Sequence, residues 1–279
     1  MSNGHVAEAT RSIHDLADLL RIDRTERHLH FLMSLQTYNY ITLPANGYLD
    51  ETEKDDIVGV GGWIGTYEKW HGFEERWRDI LPKEANGDFH YTDFWHDPKY
   101  WSAQWSHEKR LEFILRLASI AIEHASMGIG IVISKTDYER NIPEEYKGEF
   151  KGAVYFCLGH CLRLLIEKFN HVPGQPPKPI RFMHDSKKGK QDWIADWYYT
   201  VRTKFEHLDI LGELSFGPRS GEPVLQAADL LIGELRRYRE GHPSRIIDMF
   251  REHNKVIIGR PNVQELRDLV KKTIENADN

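Results

Sequence analysis

Three aspartates stand where strands and helices can bring them to one place. Asp50 lies at the expected end of a strand, in Tyr48-Leu49-Asp50-Glu51, and Asp185 follows the run Ile180-Arg181-Phe182-Met183-His184. Asp229 interrupts an otherwise apolar helical pattern, Gln226-Ala227-Ala228-Asp229-Leu230-Leu231. Carboxylates that meet away from water repel one another and lose hydration, so a shared cation is the natural remedy. A set made of carboxylate oxygen suits Mg2+ or Mn2+, which keep open positions for water and phosphate. Two such ions ~3.5–4 Å apart activate a water and stabilise the departing oxygen in phosphodiester hydrolysis. The chemistry expected is therefore metal-dependent cleavage of DNA or RNA, with Asp50 bridging and Asp185 and Asp229 completing the shell. Strand alternation sends Asp50 and Glu51 to opposite faces, so only one of them joins a given site. Each acid also has a plain structural reading. A strand-end aspartate commonly caps a helix or makes a turn, and Ser186 and Gly189 after Asp185 suit that.

Weaker candidates surround these three. His90 and Asp93 are three apart in Phe89-His90-Tyr91-Thr92-Asp93, close enough on a helical turn to serve one ion or to act as an acid or orienting group. Lys187 and Lys188 follow Asp185 after Ser186, with Lys190 beyond, and are placed to hold a substrate phosphate; a solvated loop is the alternative. Arg219 in Gly217-Pro218-Arg219-Ser220 is a similar candidate. Gln226 shares a helix face with Asp229 and is a candidate substrate contact. Cys157, His160 and Cys161 lack the further ligands of a zinc site and read as buried core. The glycines of Val58-Gly59-Val60-Gly61-Gly62 lie inside a strand pattern without the Lys-Ser/Thr of a phosphate loop.

The elements that must position these residues follow from periodicity. Residues 9–21 form an amphipathic helix. Tyr48–Glu51 and Ile57–Ile64 make a hairpin around the polar loop Thr52–Asp56. Thr66 starts a helix whose stripe is Trp70, Phe73 and Trp77, ended by Pro82, and Ser106 caps another with Leu111, Ile114, Leu115, Ala118 and Ile122 at helical spacing. Met127–Ser134 is a buried strand and Lys147–Phe169 a helix, and a proline-rich loop spans His171–Pro179. Strand 180–185, helix 190–205, strand 208–216 and helix 224–239 come next, then terminal helices at 244–253 and 262–276. A hairpin followed by alternating helices and strands predicts an α/β fold with a mixed central sheet flanked by helices. The helix 224–239 is expected to bury the single stripe Leu225, Ala228, Ile232 and Leu235.

Composition narrows the function. With 279 residues, of which 40% are hydrophobic, the chain can bury a large core without staples. A net charge of −6 argues against a protein that coats nucleic acid along its surface and leaves a small metal-dependent site open. Two cysteines make no disulfide framework, no apolar run reaches membrane-spanning length, and Met1–Arg21 has no apolar leader core. A cytoplasmic protein with no membrane partner is expected.

Taken in order, the Tyr-Leu-Asp-Glu strand end, the Gly-rich second strand, the Phe-His-x-x-Asp segment, the strand ending in Asp185 and the Gln-Ala-Ala-Asp-Leu-Leu helix resemble domain-of-unknown-function family 3800. Members of that family are predicted to be ribonuclease-H-like. The resemblance covers about residues 45–240 and implies that Asp50, Asp185 and Asp229 converge, with an acid or histidine from Phe89–Asp93 completing the site. Where the family often has Ser-Gly after Asp-Glu, Thr52 and Glu53 stand here. The expected organisation is an N-terminal helical extension (1–44), the ribonuclease-H-like domain (45–240) and C-terminal helices on the same core (241–279). A nuclease acting on nucleic acid is the leading functional reading. A non-catalytic interaction module that binds a protein partner is the alternative, and a glycosidase built on two carboxylates finds no sugar-cleft signal.

Overall fold

Strands β1 (Ala45–Lys54) and β2 (Ile57–Thr66) pair antiparallel along their full length, from Ala45 opposite Thr66 to Lys54 opposite Ile57. The hairpin closes on Asp55 and Asp56 alone, with Asp55 in the left-handed region, so the strands run further than the expected loop allowed. The Asp56 carboxylate accepts hydrogen bonds from the Ser134 hydroxyl and from the backbone and hydroxyl of Thr136, which ties the turn to a distant helix start. The computed structural model describes residues 45–142, 144, 147, 152–169, 179–185, 189–204 and 210–259. The predicted helices 9–21 and 262–276, and Lys187 and Lys188, lie outside the described residues.

After β2 come α1 (Tyr67–Ile80), a 3-10 turn (Lys83–Ala85), α2 (Tyr91–His96), α3 (His107–His124), β3 (Met127–Ser134) and α4 (Lys135–Asn141). They are followed by α5 (Ala153–Phe169), β4 (Ile180–Asp185), α6 (Gln191–Lys204), β5 (Leu211–Gly217), α7 (Pro223–Arg239), α8 (Arg245–Glu252) and β6 (Val256–Gly259). The six strands form one mixed sheet in the order β5-β4-β1-β2-β3-β6. β2 runs antiparallel to both neighbours, while β1–β4, β4–β5 and β3–β6 are parallel. The expected α/β fold with an opening hairpin and flanking helices is present. Residues 241–259 add a helix and also a short edge strand, β6, that periodicity did not reveal.

The sheet separates two cores. One face packs Leu49, Val60, Ile131 and Phe182 against Phe156, Leu165 and Tyr198 of α5 and α6. The other carries Trp63 and Val132 under Leu230, Leu231 and Leu235 of α7, with the aromatic helices α1, α2 and α3 beyond. At the β5 edge the Tyr199 hydroxyl donates to the Leu214 carbonyl and accepts from the Leu214 N–H, both at 3.3 Å. Among the described residues no helix is long and apolar enough to cross a membrane.

Helix α7 departs most from expectation. Every residue from Pro223 to Arg236 is buried, where one stripe was expected. The helix lies between the sheet and α1, α2, α3 and α8, so it has no solvent face over that length. Glycines let it approach the sheet. A Cβ on Gly59 or Gly61 would crowd the Ile232 methyl at 3.1 or 3.3 Å, and one on Gly130 would overlap Leu235. The order Leu225 over β5, Ile232 over β2 and Leu235 over β3 shows α7 crossing the sheet obliquely. On its outer side Gly233 faces Tyr91, where a Cβ would come within 2.2 Å of the ring.

Gly233→Ala is therefore expected to push Tyr91 and α2 away and to destabilise the protein by about 1–3 kcal/mol, the usual range for overpacking. Urea unfolding reads this as a lower midpoint at an unchanged slope. An unchanged midpoint would mean that the Tyr91 ring yields freely.

Candidate functional site

The parallel register of β1 and β4 places Tyr48 beside Met183 and Leu49 beside His184, so Asp50 and Asp185 follow at the same level of neighbouring strands. Both belong to the α7 side of the sheet, because Leu49 and Phe182 belong to the opposite core. Asp50 lies across from Gly61, the residue that Ile232 covers, and Asp229 precedes Ile232 by three positions on α7. Relative exposures of 1%, 7% and 7% for Asp50, Asp185 and Asp229 leave little hydration, so their charge must be balanced by protein groups or ions.

Part of that balance comes from Arg219, in the turn between β5 and α7. Its backbone N–H donates to Asp185 Oδ1 at 3.1 Å, and its guanidinium Nη1 stands 3.9 Å from Asp229 Oδ2. Asp229 Oδ2 also accepts the Tyr91 N–H at 2.8 Å, so this acid holds the start of α2 against α7. Asp50 Oδ1 accepts the N–H of Glu51 at 2.7 Å. Arg219 thus links the β4 and α7 acids, and the sheet register supplies Asp50 beside them. The three are brought to one region, yet among the described residues no group of three or more His, Cys, Asp or Glu side chains is arranged to hold a metal ion.

His90 and Asp93 pair with each other, Nδ1 to Oδ2 at 2.6 Å, and both are partly exposed. His90 immediately precedes Tyr91, whose N–H reaches Asp229, so the pair borders the acid region. The His90 N–H donates to the Tyr100 hydroxyl at 2.8 Å. Burial pushes that phenol up to about 12, so it is neutral at physiological pH.

Gln226 does not present itself to a substrate in this structure. It is fully buried: its Oε1 accepts the Trp77 indole N–H at 2.8 Å, and its Nε2 donates to Gly87 O at 2.9 Å and toward Arg219 O at 3.4 Å. It braces α1 and two loops against α7, in place of the substrate contact expected from its position beside Asp229. Lys190, the described lysine after Asp185, also points elsewhere. Its ammonium binds Glu51 at 2.9 Å and Glu53 at 3.3 Å on the opposite face.

That opposite face holds a second charged group that sequence reading did not assemble. The His184 Nδ1 donates to the Asp185 carbonyl at 3.0 Å, and its Nε2 lies 3.7 Å from Glu51 Oε2. Lys135 pairs with Glu53 at 3.1 Å, and a cavity of about 530 Å³ opens beside them between Val58, Tyr155 and Trp193. Burial, the largest single influence, pulls the Lys190 ammonium down. Glu51 and then Glu53 together outweigh it, and the proton is held more tightly than in water. Lys135, with Lys190 behind it, draws the Glu53 carboxyl below its ordinary range. The alternation of Asp50 and Glu51 was the signal for this cluster; its partners are His184 of β4, Lys190 in the turn before α6, and Lys135 at the start of α4. No protein-family model matches the chain, and no curated protein matches it.

Two outcomes are expected. Gln226→Leu strands the Trp77 indole N–H and the Gly87 carbonyl, and loses about 1–3 kcal/mol for each buried group left unpaired; urea unfolding followed by tryptophan fluorescence reads the loss. Glu53, with its folded-state proton affinity lowered, contributes stability above the ordinary value of 4.5 that disappears as pH falls through the folded value. The melting temperature of the parent should then drop more steeply on acidification than that of Glu53→Gln. Parallel curves would show that Glu53 adds nothing to folding.

Proposed function

We propose that this chain is a divalent-metal-dependent hydrolase of phosphodiester bonds in nucleic acid, on a ribonuclease-H-like scaffold. The reading is supported by three buried acids from separate segments: Asp50 and Asp185 follow in register on neighbouring strands, and Asp185 and Asp229 share Arg219. The hairpin-led mixed sheet with flanking helices supports the scaffold. In kind, the donor set fits hard cations: all three groups offer carboxylate oxygen, and Asp50, Asp185 and Asp229 would hold Mg2+ or Mn2+. Such ions supply a Lewis acid and an activated water.

The chain's own residues do the rest. Asp229 orients the start of α2, whose cap His90 and first-turn Asp93 stand at the border of the acids. The His90–Asp93 pair is suited to proton transfer, because its carboxylate fixes the orientation of a partly exposed imidazole. Arg219 contributes positive charge beside the region an anionic substrate would enter. Lys187 and Lys188 remain in the proposal as phosphate contacts on sequence grounds.

One observation favours the alternative of a non-catalytic module that binds a protein partner. Asp229 serves both Tyr91 and Arg219, as a structural brace would. Calorimetric titration of the full chain with Mn2+, together with cleavage of single-stranded and duplex DNA and RNA, separates the two. The hydrolase reading expects Mn2+ binding and cleavage. Asp50→Asn should reduce cleavage at least about a hundredfold, as losing several kcal/mol of charge stabilisation implies, with an unchanged circular dichroism spectrum. Glu51→Gln, on the other face, should retain most activity. Neither binding nor cleavage by the parent would leave the interaction module as the better account.

A further inference from the structure

We infer that Arg219 is the resident countercharge of the acid set, and that a divalent cation enters by displacing its guanidinium. The inference rests on the metal reading above and addresses what that reading leaves open: three acids share a region, yet no three metal-binding side chains among the described residues enclose an ion.

Arg219 holds the two acids by different means. Its backbone N–H binds Asp185 Oδ1, a contact that any side chain at this position would keep. Its guanidinium reaches across to Asp229 Oδ2. The main chain thus fixes Asp185 while the side chain neutralises Asp229, and the second function can be given up without the first. The turn is anchored independently, since Glu222 N–H donates to Arg219 O at 3.0 Å and Gln226 Nε2 reaches the same carbonyl.

One donor of the guanidinium, its Nε, also lacks a partner among the described residues. A permanent arginine–carboxylate brace is commonly bidentate at roughly 2.7–2.9 Å. Here the approach is 3.9 Å, and nothing among the described residues accepts a hydrogen bond from the buried Nε. A buried donor left without a partner is unfavourable, so the contact is weakly held and exchangeable. Electrostatics gives the exchange its sign. Arg219 compensates part of the acid charge when no ion is present and repels an incoming dication through the same short distances. Once the side chain leaves, Asp229 keeps the Tyr91 N–H on Oδ2, and its uncompensated charge faces an ion beside Asp50 and Asp185, which follow one another in register on β1 and β4.

The test uses the full chain and Mn2+ alone, followed by calorimetry and by thermal unfolding with and without the ion. Arg219→Gln removes the charge and is expected to bind Mn2+ about tenfold tighter than the parent, or more, the scale of one unit charge removed at close range. Without metal it should melt below the parent, and Mn2+ should raise its melting temperature by more. Arg219→Met, which keeps the apolar stem, should change in the same direction. Adding Asp229→Asn to Arg219→Gln should abolish the gain. If the parent binds Mn2+ and both single variants bind it equally or more weakly, the countercharge role is wrong and the metal reading survives. If neither parent nor variants bind Mn2+, the metal reading falls and takes this inference with it. Failure of both variants to fold would make Arg219 a structural brace and overturn the inference.

Discussion

Helix α7 has no face turned to water from Pro223 to Arg236, so each polar side chain it carries there depends on partners inside the protein. That constraint organises everything packed around it. Gln226 takes the Trp77 indole and the Gly87 carbonyl, and Asp229 takes the Tyr91 N–H. Glu234 accepts two short hydrogen bonds of 2.6 Å, from the Tyr91 and Ser244 hydroxyls. Burial, and then the charge of Glu234, keep the Tyr91 hydroxyl protonated far beyond its ordinary range. Tyr91 is thereby fastened at its backbone by one acid of α7 and at its ring by another. Its ring meets Trp95 edge-on, Trp95 meets Phe94, and Phe94 packs against Phe89, Trp101 and Phe113 in the aromatic layer beyond. Ser244 closes the arrangement by also accepting the Ile247 N–H, so the same carboxylate that holds α2 orients the cap of α8.

Below α7 the sheet divides charge as cleanly as it divides the cores. Asp50 and Glu51 are consecutive, yet one faces α7 with Asp185 and the other faces α6 with His184 and Lys190. The pairs are built from the same two strands at successive positions, and a one-residue slip of β1 against β4 would exchange them. The full-length pairing of β1 with β2 resists that slip, because the glycines of β2 must stay beneath Ile232 for α7 to seat. The electrostatic assignment of each acid is therefore a consequence of steric fit several ångströms away.

Local signals made much of this legible. The Trp70–Phe73–Trp77 stripe, the Ser106 cap, the unbroken apolar run of β3 and the Asp50/Glu51 alternation each depend on neighbours in sequence, and each appears in the structure. What escaped was long-range. Gln226 and Asp229 stand out as site candidates, but their partners Trp77 and Tyr91, the latter shared with Glu234, lie more than a hundred positions away and no local pattern names them. β6 has four residues, too few to register as a period, and it forms because β3 offers an open edge. Arg219 stands out in the sequence as a candidate phosphate contact, but its acid partners do not; only the fold brings Asp185 and Asp229 within its reach.

Tyr199 has a consequence for how this sheet meets other chains. An edge strand ordinarily offers free amides and carbonyls on which a foreign strand can zip up. At the middle of β5 the phenol of Tyr199 occupies both groups of Leu214, donor and acceptor together. A would-be seventh strand meets a bulky ring where it needs a backbone, and its ladder is interrupted halfway along a seven-residue edge. One side chain thus acts as a terminator of polymerisation, protecting on its outer margin a sheet whose inner strands are among the most apolar parts of the molecule.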